Sequence, residues 1–320
     1  MNACLILGGS GYIGLNWARR LAGRRHFDRI ILADIRPPTR PLPAGCEFVI
    51  CDIRQPLQLA DLKPEWIYNF AAVHREPGHA REEYFDTNLA GAKNACAFAE
   101  QSGCMNILFT SSIAVYGSFD KPTSETSPPY PRTPYGISKL CAELIHKGWQ
   151  RSGESRKLCV CRPGVIYGPG DPGNILRMIR AVRKGYFVFP GSRTLRKSYG
   201  YIEGLLDSFD FIMASEGSQL TYNYVERETE TLGALVRIVQ SHLGKKTPIL
   251  TAPLPVLEVV AVMAQLLTGG RSPLHPVRVR KTASSTYIVP ESLLKMGFHF
   301  RYNFADSLND WARKSPEDFS

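Results

Sequence analysis

Residues 3 to 24 read ACLILGGSGYIGLNWARRLAGR. The apolar run ACLILGG predicts a buried strand, and YIGLNWARRLAGR predicts a helix that ends at a glycine. Gly8, Gly11 and Gly14 lie where the two join. Glycines at that spacing permit a tight turn, and they let backbone N–H groups approach a pyrophosphate at the helix N-terminus. A glycine-rich turn alone is a weak signal. With a strand before it and a helix after it, the turn points to a nucleotide site.

The alternation continues outward. RIILADI, CEFVICDI, EWIYNFAAV, NILFTSSIAVYG and KLCVCRPGVIYG predict strands two to six. TNLAGAKNACAFAEQSG and SKLCAELIHKGWQ predict helices between them. Strands alternating with helices imply parallel βαβ units, so the predicted fold is α/β, a doubly wound, mostly parallel Rossmann sheet. Ligands in such sheets bind beyond the carboxyl ends of the strands. After about residue 168 the alternation loosens, and Pro and Gly rise in YGPGDPGN and TAPLP. We therefore expect a nucleotide-binding Rossmann domain over 1–168. Residues 169–320 form mainly a smaller C-terminal substrate-binding lobe, with some segments returning to the sheet.

The second predicted strand ends in Asp34. A carboxylate there can bond both ribose hydroxyls and would repel a 2′-phosphate, which favours NAD over NADP. Arg36, two residues on, could instead accommodate that phosphate. Asp52 ends the third strand, where it reaches toward an adenine or caps the turn before RQPL.

In TPYGISKLCAE, residues 133 to 143, Tyr135 and Lys139 share one helix face. Two readings stand. Both residues are common on surfaces. A phenol titrating near ~10 also becomes a useful base when a fixed cation lowers its pKa.

Bulk properties bound the alternatives. The chain has 320 residues, 44% of them hydrophobic, enough to bury a sizeable core. Its N-terminus runs directly into ACLILGG, with no basic segment or cleavage site of a signal peptide. PLPVLEVVAVMAQLLTGG falls short of the ~20 residues of a membrane span, so a buried helix is expected. The eight cysteines include no Cys-x-x-Cys pair, which argues against a zinc or redox site and for a reduced, cytoplasmic protein. A net charge of +10 leaves nucleic acid, an anionic membrane surface or an acidic small substrate as partners. No motif supports nucleic acid or membrane insertion. Arg177, Arg180 and Arg183 fall on one helix face, either solvated or forming a diphosphate-binding wall.

The ordered set Gly8-x-x-Gly11-x-x-Gly14, Asp34, CDI, NFAA, SSIAVYG, Tyr135-x-x-x-Lys139 and RPGVIYGPGD resembles the extended short-chain dehydrogenase/reductases. More narrowly, it resembles their NAD-dependent nucleotide-sugar epimerase/dehydratase group, over nearly the whole chain. The resemblance implies Tyr135 as catalytic acid/base, Lys139 as its partner and Ser112 as the residue that holds the substrate oxygen. It implies cofactor contacts from Gly8, Gly11, Tyr12, Ile13, Gly14, Asp34, Asp52, Ile53, Ala71, Ala72, Tyr135 and Lys139. A nucleotide-diphosphate sugar is the implied substrate, and a homodimer the common assembly. Asn174, opening the predicted helix ILRMIRAVRKG, corresponds to a diphosphate contact or serves as an ordinary N-cap, and Lys197 corresponds to another diphosphate contact. Arg196 competes with Lys197, and Arg280 or Arg278, alternating in a predicted strand VRVRK, supplies another. His74 lines the sugar pocket or is polar surface.

Departures from the pattern restrict the chemistry. Where the 4,6-dehydratases carry Asp-Glu after the active-site hydroxyl, this chain has Ile113-Ala114. The glutamate of the decarboxylating relatives and the cysteine of the epimerase-reductases are also missing. What remains is oxidation and reduction at one carbinol, which implies a 4-epimerase. A 4-keto-sugar reductase using NAD(P)H is the alternative, and a non-catalytic NAD-binding protein the more remote one.

Overall fold

The computed structural model describes residues 2–117, 120–171, 173–272 and 275–320. Apolar and β-branched runs give strands β1 (Ala3–Leu7), β2 (Arg29–Asp34), β3 (Cys46–Ile50), β4 (Trp66–Asn69), β5 (Asn106–Thr110) and β6 (Lys157–Pro163). Helices α1 (Tyr12–Arg24), α2 (Arg81–Ser102) and α3 (Pro134–Arg151) connect them. Beyond lie β7 (Val165–Tyr167), α4 (Asn174–Lys184), β8 (Phe189–Pro190), β9 (Tyr199–Tyr201), α5 (Ile202–Ala214) and β10 (Gln219–Tyr224). The chain closes with α6 (Leu232–His242), β11 (Thr251–Ala252), α7 (Leu254–Leu267), α8 (Pro276–Thr282), α9 (Glu291–Lys295) and α10 (Phe304–Lys314).

The main sheet runs β3-β2-β1-β4-β5-β6-β10, with every pairing parallel. Strand order reverses beside β1, so a crevice opens at the carboxyl ends of β1 and β4. Both faces are covered. Cys4 and Ile6 of β1 face a layer holding Trp17 of α1 and Phe209 of α5. Leu5 and Leu7 face the opposite layer, with Ala92 and Ala95 of α2 and Ala142 of α3. Period-two alternation between two apolar layers explains why these strands read as continuous hydrophobic runs.

Several sequence expectations shift. NILFTSSIAVYG is a strand only to Thr110; Ile113–Tyr116 turn into a 3₁₀ helix. Ser112 causes this, its Oγ accepting the Ala114 N–H at 3.1 Å. KLCVCRPGVIYG splits at Gly164, and β7 pairs with β9 in a separate sheet. A Cβ at Gly164 would sit 2.5 Å from the Ser198 carbonyl oxygen. Helix α1 stops not at a glycine but at Arg25, in the left-handed region at φ 51°. α2 begins six residues before the expected TNLAGAK start. β10 pairs with β6 in parallel at the edge of the main sheet. Helix α7 is not buried: of its fourteen residues only Ala261 is. All eight cysteines are free, and burial pushes the Cys104 thiol up to about 11, as for a packed hydrophobe.

Between α3 and β6 lies a buried ion pair. Both guanidinium arms of Arg162 donate to Glu143, at 2.8 and 2.7 Å, and both side chains are almost wholly enclosed. Arg162 also donates to the Tyr116 hydroxyl, which donates to Asn223 of β10 at 2.9 Å. Stripping one partner from such a pair strands a buried charge. Arg162→Met should therefore lower stability in urea by about 3–5 kcal/mol, and adding Glu143→Leu should recover most of that loss. A cost below about 1 kcal/mol for the single change would contradict this account.

Candidate active site

The turn after β1 is built for close approach. Gly8 adopts φ 74°, and its N–H and that of Gly9 donate to the Ala33 carbonyl at 2.9 and 3.2 Å. A Cβ on Gly8 would land 2.6 Å from the Ala71 nitrogen, and one on Gly14 would land 2.5 Å from the Gly8 oxygen. This turn therefore leaves no room for side chains, and Ala71 lies directly against it. Gly11 caps α1 without a side-chain bond, and no acid occupies the first turn, where Tyr12, Ile13 and Gly14 follow. Open N–H groups and the positive helix end suit an anion. The buried Tyr12 hydroxyl has no partner.

Around the cradle, Asp34 ends β2 and accepts the Ser10 N–H at 3.1 Å. Burial raises its pKa, while the backbone N–H of Ser10 opposes the shift. Asp52 behaves as a turn former: its Oδ1 accepts the Arg54 N–H at 3.0 Å, and the Arg54 guanidinium grips both oxygens. Ile53 is buried under Gly91 of α2, while Ala72 is half-buried after β4. Asn88, within α2, bonds the Val73 backbone at both ends of its amide.

Thr133 caps α3 by accepting the Gly136 N–H at 3.1 Å, and Pro134 occupies the first turn. The helix then brings Tyr135 beside Ser112, near enough for the serine hydroxyl to lower the phenol's pKa. Lys139, one turn on, is 1% exposed and lies 4.4 Å above the Phe109 ring. Glu143 and His146 continue the same buried face. His146 stacks on Phe109, and its Nε2 meets Asn69 at 3.3 Å.

Electrostatics here run against the simple expectation. Burial pushes the Tyr135 phenol up to about 12; the nearby Ser112 hydroxyl lowers it and Glu76 raises it. Burial pushes Lys139 down to about 7, with Glu143 opposing. In the chain alone, therefore, the lysine does not depress the tyrosine. Each group favours its neutral form.

Sequence reasoning did not single out Glu76. Its Oε1 accepts the Tyr135 N–H at 3.4 Å, and its Oε2 pairs with Lys281. No local pattern signals a contact spanning 205 residues.

The predicted substrate residues spread out. Asn174 opens α4 and is exposed, while the cap position belongs to Gly173. Lys197 donates to the carbonyls of Lys281, at 2.8 Å, and Ser284, and burial pushes it down to about 8. VRVRK is helical, not a strand: Pro276 starts α8, and Arg280 pairs with Glu258 at 2.7 Å. His74 is exposed. Arg177, Arg180 and Arg183 form the solvent face of α4. Arg196 lines an open cleft of about 320 Å³ with Arg227, Glu230 and Tyr287, apart from Ser112 and Tyr135.

A sequence model of the NAD dependent epimerase/dehydratase family matches residues 4–224. The N-acetyl-alpha-D-glucosaminyl-diphospho-ditrans,octacis-undecaprenol 4-epimerase of Escherichia coli O157:H7 is 30% identical over 244 residues, 75% of this chain and 74% of that one. Among solved structures, MoeE5 in complex with UDP-glucuronic acid and NAD superposes with a TM-score of 0.76 at 22% identity, covering 98% of this chain and 100% of that one. The NAD-dependent NDP-hexosamine 5,6-dehydratase TunA gives 0.73 at 20%, covering 98% of each.

Two measurements test the electrostatics. Lys139 in the folded chain lies below its value of 10.5 when unfolded, so the unfolded chain holds more protons between the two. Native stability should fall as pH drops from 10.5 toward about 7, and Lys139→Met should remove that component of the fall. Parallel stability curves for the two proteins would refute the burial argument. Glu76→Gln should lower the Tyr135 pKa and move the acid limb of the pH–rate profile to lower pH; an unmoved limb would uncouple the two.

Proposed function

Because the chain belongs to the NAD-dependent epimerase/dehydratase family, we propose that it is a 4-epimerase of a sugar carried on a nucleoside diphosphate. One observation carries the reading. Beside Tyr135, Ser112 is followed by Ile113 and Ala114, whose side chains can neither give nor take a proton. A dehydratase needs a further acid or base to expel water; simple oxidation and reduction at one carbon does not.

Enzymes of the family use NAD, which supplies a hydride acceptor and donor when bound. The uncapped N-terminus of α1 and the Gly8–Gly14 turn would hold its pyrophosphate, and Asp34 would bond its ribose. Ser112 orients the sugar hydroxyl. The Tyr135 oxygen takes the hydroxyl proton as the carbon gives up hydride, and returns it when the ketone is reduced from the other face. Lys139 lies one turn beyond Tyr135 and, when protonated, would favour the phenolate against the burial that pushes the phenol up to about 12.

A second reading changes only the carrier. The E. coli relative acts on a sugar diphosphate joined to undecaprenol, and the exposed apolar surface of α7 favours a lipid carrier here too.

The purified protein, denatured, should release about one NAD per chain, since an epimerase must keep its cofactor through both half-reactions. Tyr135→Phe should retain that NAD and lose turnover by on the order of 10²–10⁴-fold. Undiminished epimerisation by this variant would overturn the assignment, and a 4-keto-6-deoxy product would establish dehydration in its place.

A further inference from the structure

Helix α7 carries LPVLEVVAVMAQLL, with Glu258 its one charged side chain. A helix apolar all round is expected inside a protein or against lipid. Here it lies in solvent: Val256, Val259, Val260, Val262 and Met263 are about half exposed, and Leu266 and Leu267 are 72% and 82% exposed. Single exposed apolar residues are ordinary, but a contiguous set this large marks a contact surface.

Charge indicates what the contact is. From Thr231 to Pro290 the chain holds seven Lys or Arg, at 237, 245, 246, 271, 278, 280 and 281, against the single acid Glu258. Glu258 is itself paired with Arg280. Lys245 and Lys246, before α7 in the chain, and Arg271, after it, are exposed. A second copy laid on this surface would bring two such cationic segments together. An anionic bilayer would meet both features, the cations in its headgroups and the leucines in the acyl boundary. At fourteen residues α7 is about 21 Å long, too short to cross a hydrocarbon core of ~30 Å. It would lie in the interface, not span it.

We propose that α7 and its cationic flanks dock the protein on an anionic membrane surface. The docking surface is joined to the candidate active site. Glu258 links α7 to α8, Lys281 of α8 pairs with Glu76, and Glu76 accepts the N–H of Tyr135. Lys197 caps the end of α8 from the other side. Docking through α7 would thus hold the candidate site within two ion pairs of the layer in which a lipid-linked sugar diphosphate resides. That consequence rests on the proposed function; the docking does not.

The test is co-sedimentation of the full chain with phosphatidylcholine vesicles, with and without phosphatidylglycerol. Binding is expected only with phosphatidylglycerol, and should weaken as salt rises. The double variant Leu266→Asp/Leu267→Asp should bind at least about tenfold more weakly, with an unchanged melting temperature because both residues are exposed. Lys245→Glu/Lys246→Glu should weaken binding and flatten its salt dependence. Failure of the wild-type chain to sediment would overturn the proposal. So would equal binding by the leucine variant. A concentration-dependent dimer that the leucine variant abolishes, without vesicle binding, would assign the surface to a second copy. NAD content, measured on the same samples, keeps failure of the docking distinct from failure of the epimerase reading.

Discussion

The site depends on the buried pair between Glu143 and Arg162. Glu143 lies one turn beyond Lys139 on α3, and Arg162 lies on β6, which also pairs with β5 ahead of Ser112. Through the Tyr116 hydroxyl the same arginine reaches the 3₁₀ turn that Ser112 caps, and through Asn223 it reaches β10. One network thus sets the distance between the helix carrying Tyr135 and the turn carrying Ser112. A hydrophobic contact would bury as much area but would not fix orientation this way, since dispersion is non-directional.

The pair also shapes the field at Lys139. Both oxygens of Glu143 are committed to Arg162, so the carboxylate only partly offsets the desolvation of the lysine beneath which it lies. Phe109 offers a ring face to the ammonium, a weaker compensation than a second carboxylate. The chain therefore keeps a lysine close to the point of losing its proton, beside a phenol that holds its own. Small changes in local charge can then move a proton between states, the condition general acid–base chemistry requires.

Much of this was legible in the sequence, for reasons that are local. Strand β1, the glycine turn and α1 follow from apolar length, glycine spacing and 3.6-residue periodicity, all contained within 22 residues. Tyr135 and Lys139 sit one turn apart on any helix. What was not legible depends on contacts distant in the chain. The end of β5 is decided by a serine bonding its own backbone, and the break at Gly164 by the approach of Ser198. VRVRK alternates as a strand would, yet Pro276 and the pairing with α7 make it a helix. Apolar composition predicts a buried helix at α7, yet the chain leaves all of it but Ala261 unburied. Glu76 and the fate of Lys197 are set by the placement of α8, which no short motif encodes.

The return of β10 to the sheet has a further consequence. Val165 leaves the sheet at Gly164, and Gln219 re-enters it on the strand next to β6. The intervening excursion is thus a closed loop whose two ends are fixed by neighbouring strands. Lengthening such a loop costs little entropy, about 0.6 kcal/mol for each doubling. Its ends cannot drift, because the sheet holds them. The fold can thus lengthen this excursion by insertion while β6 and β10 stay in register.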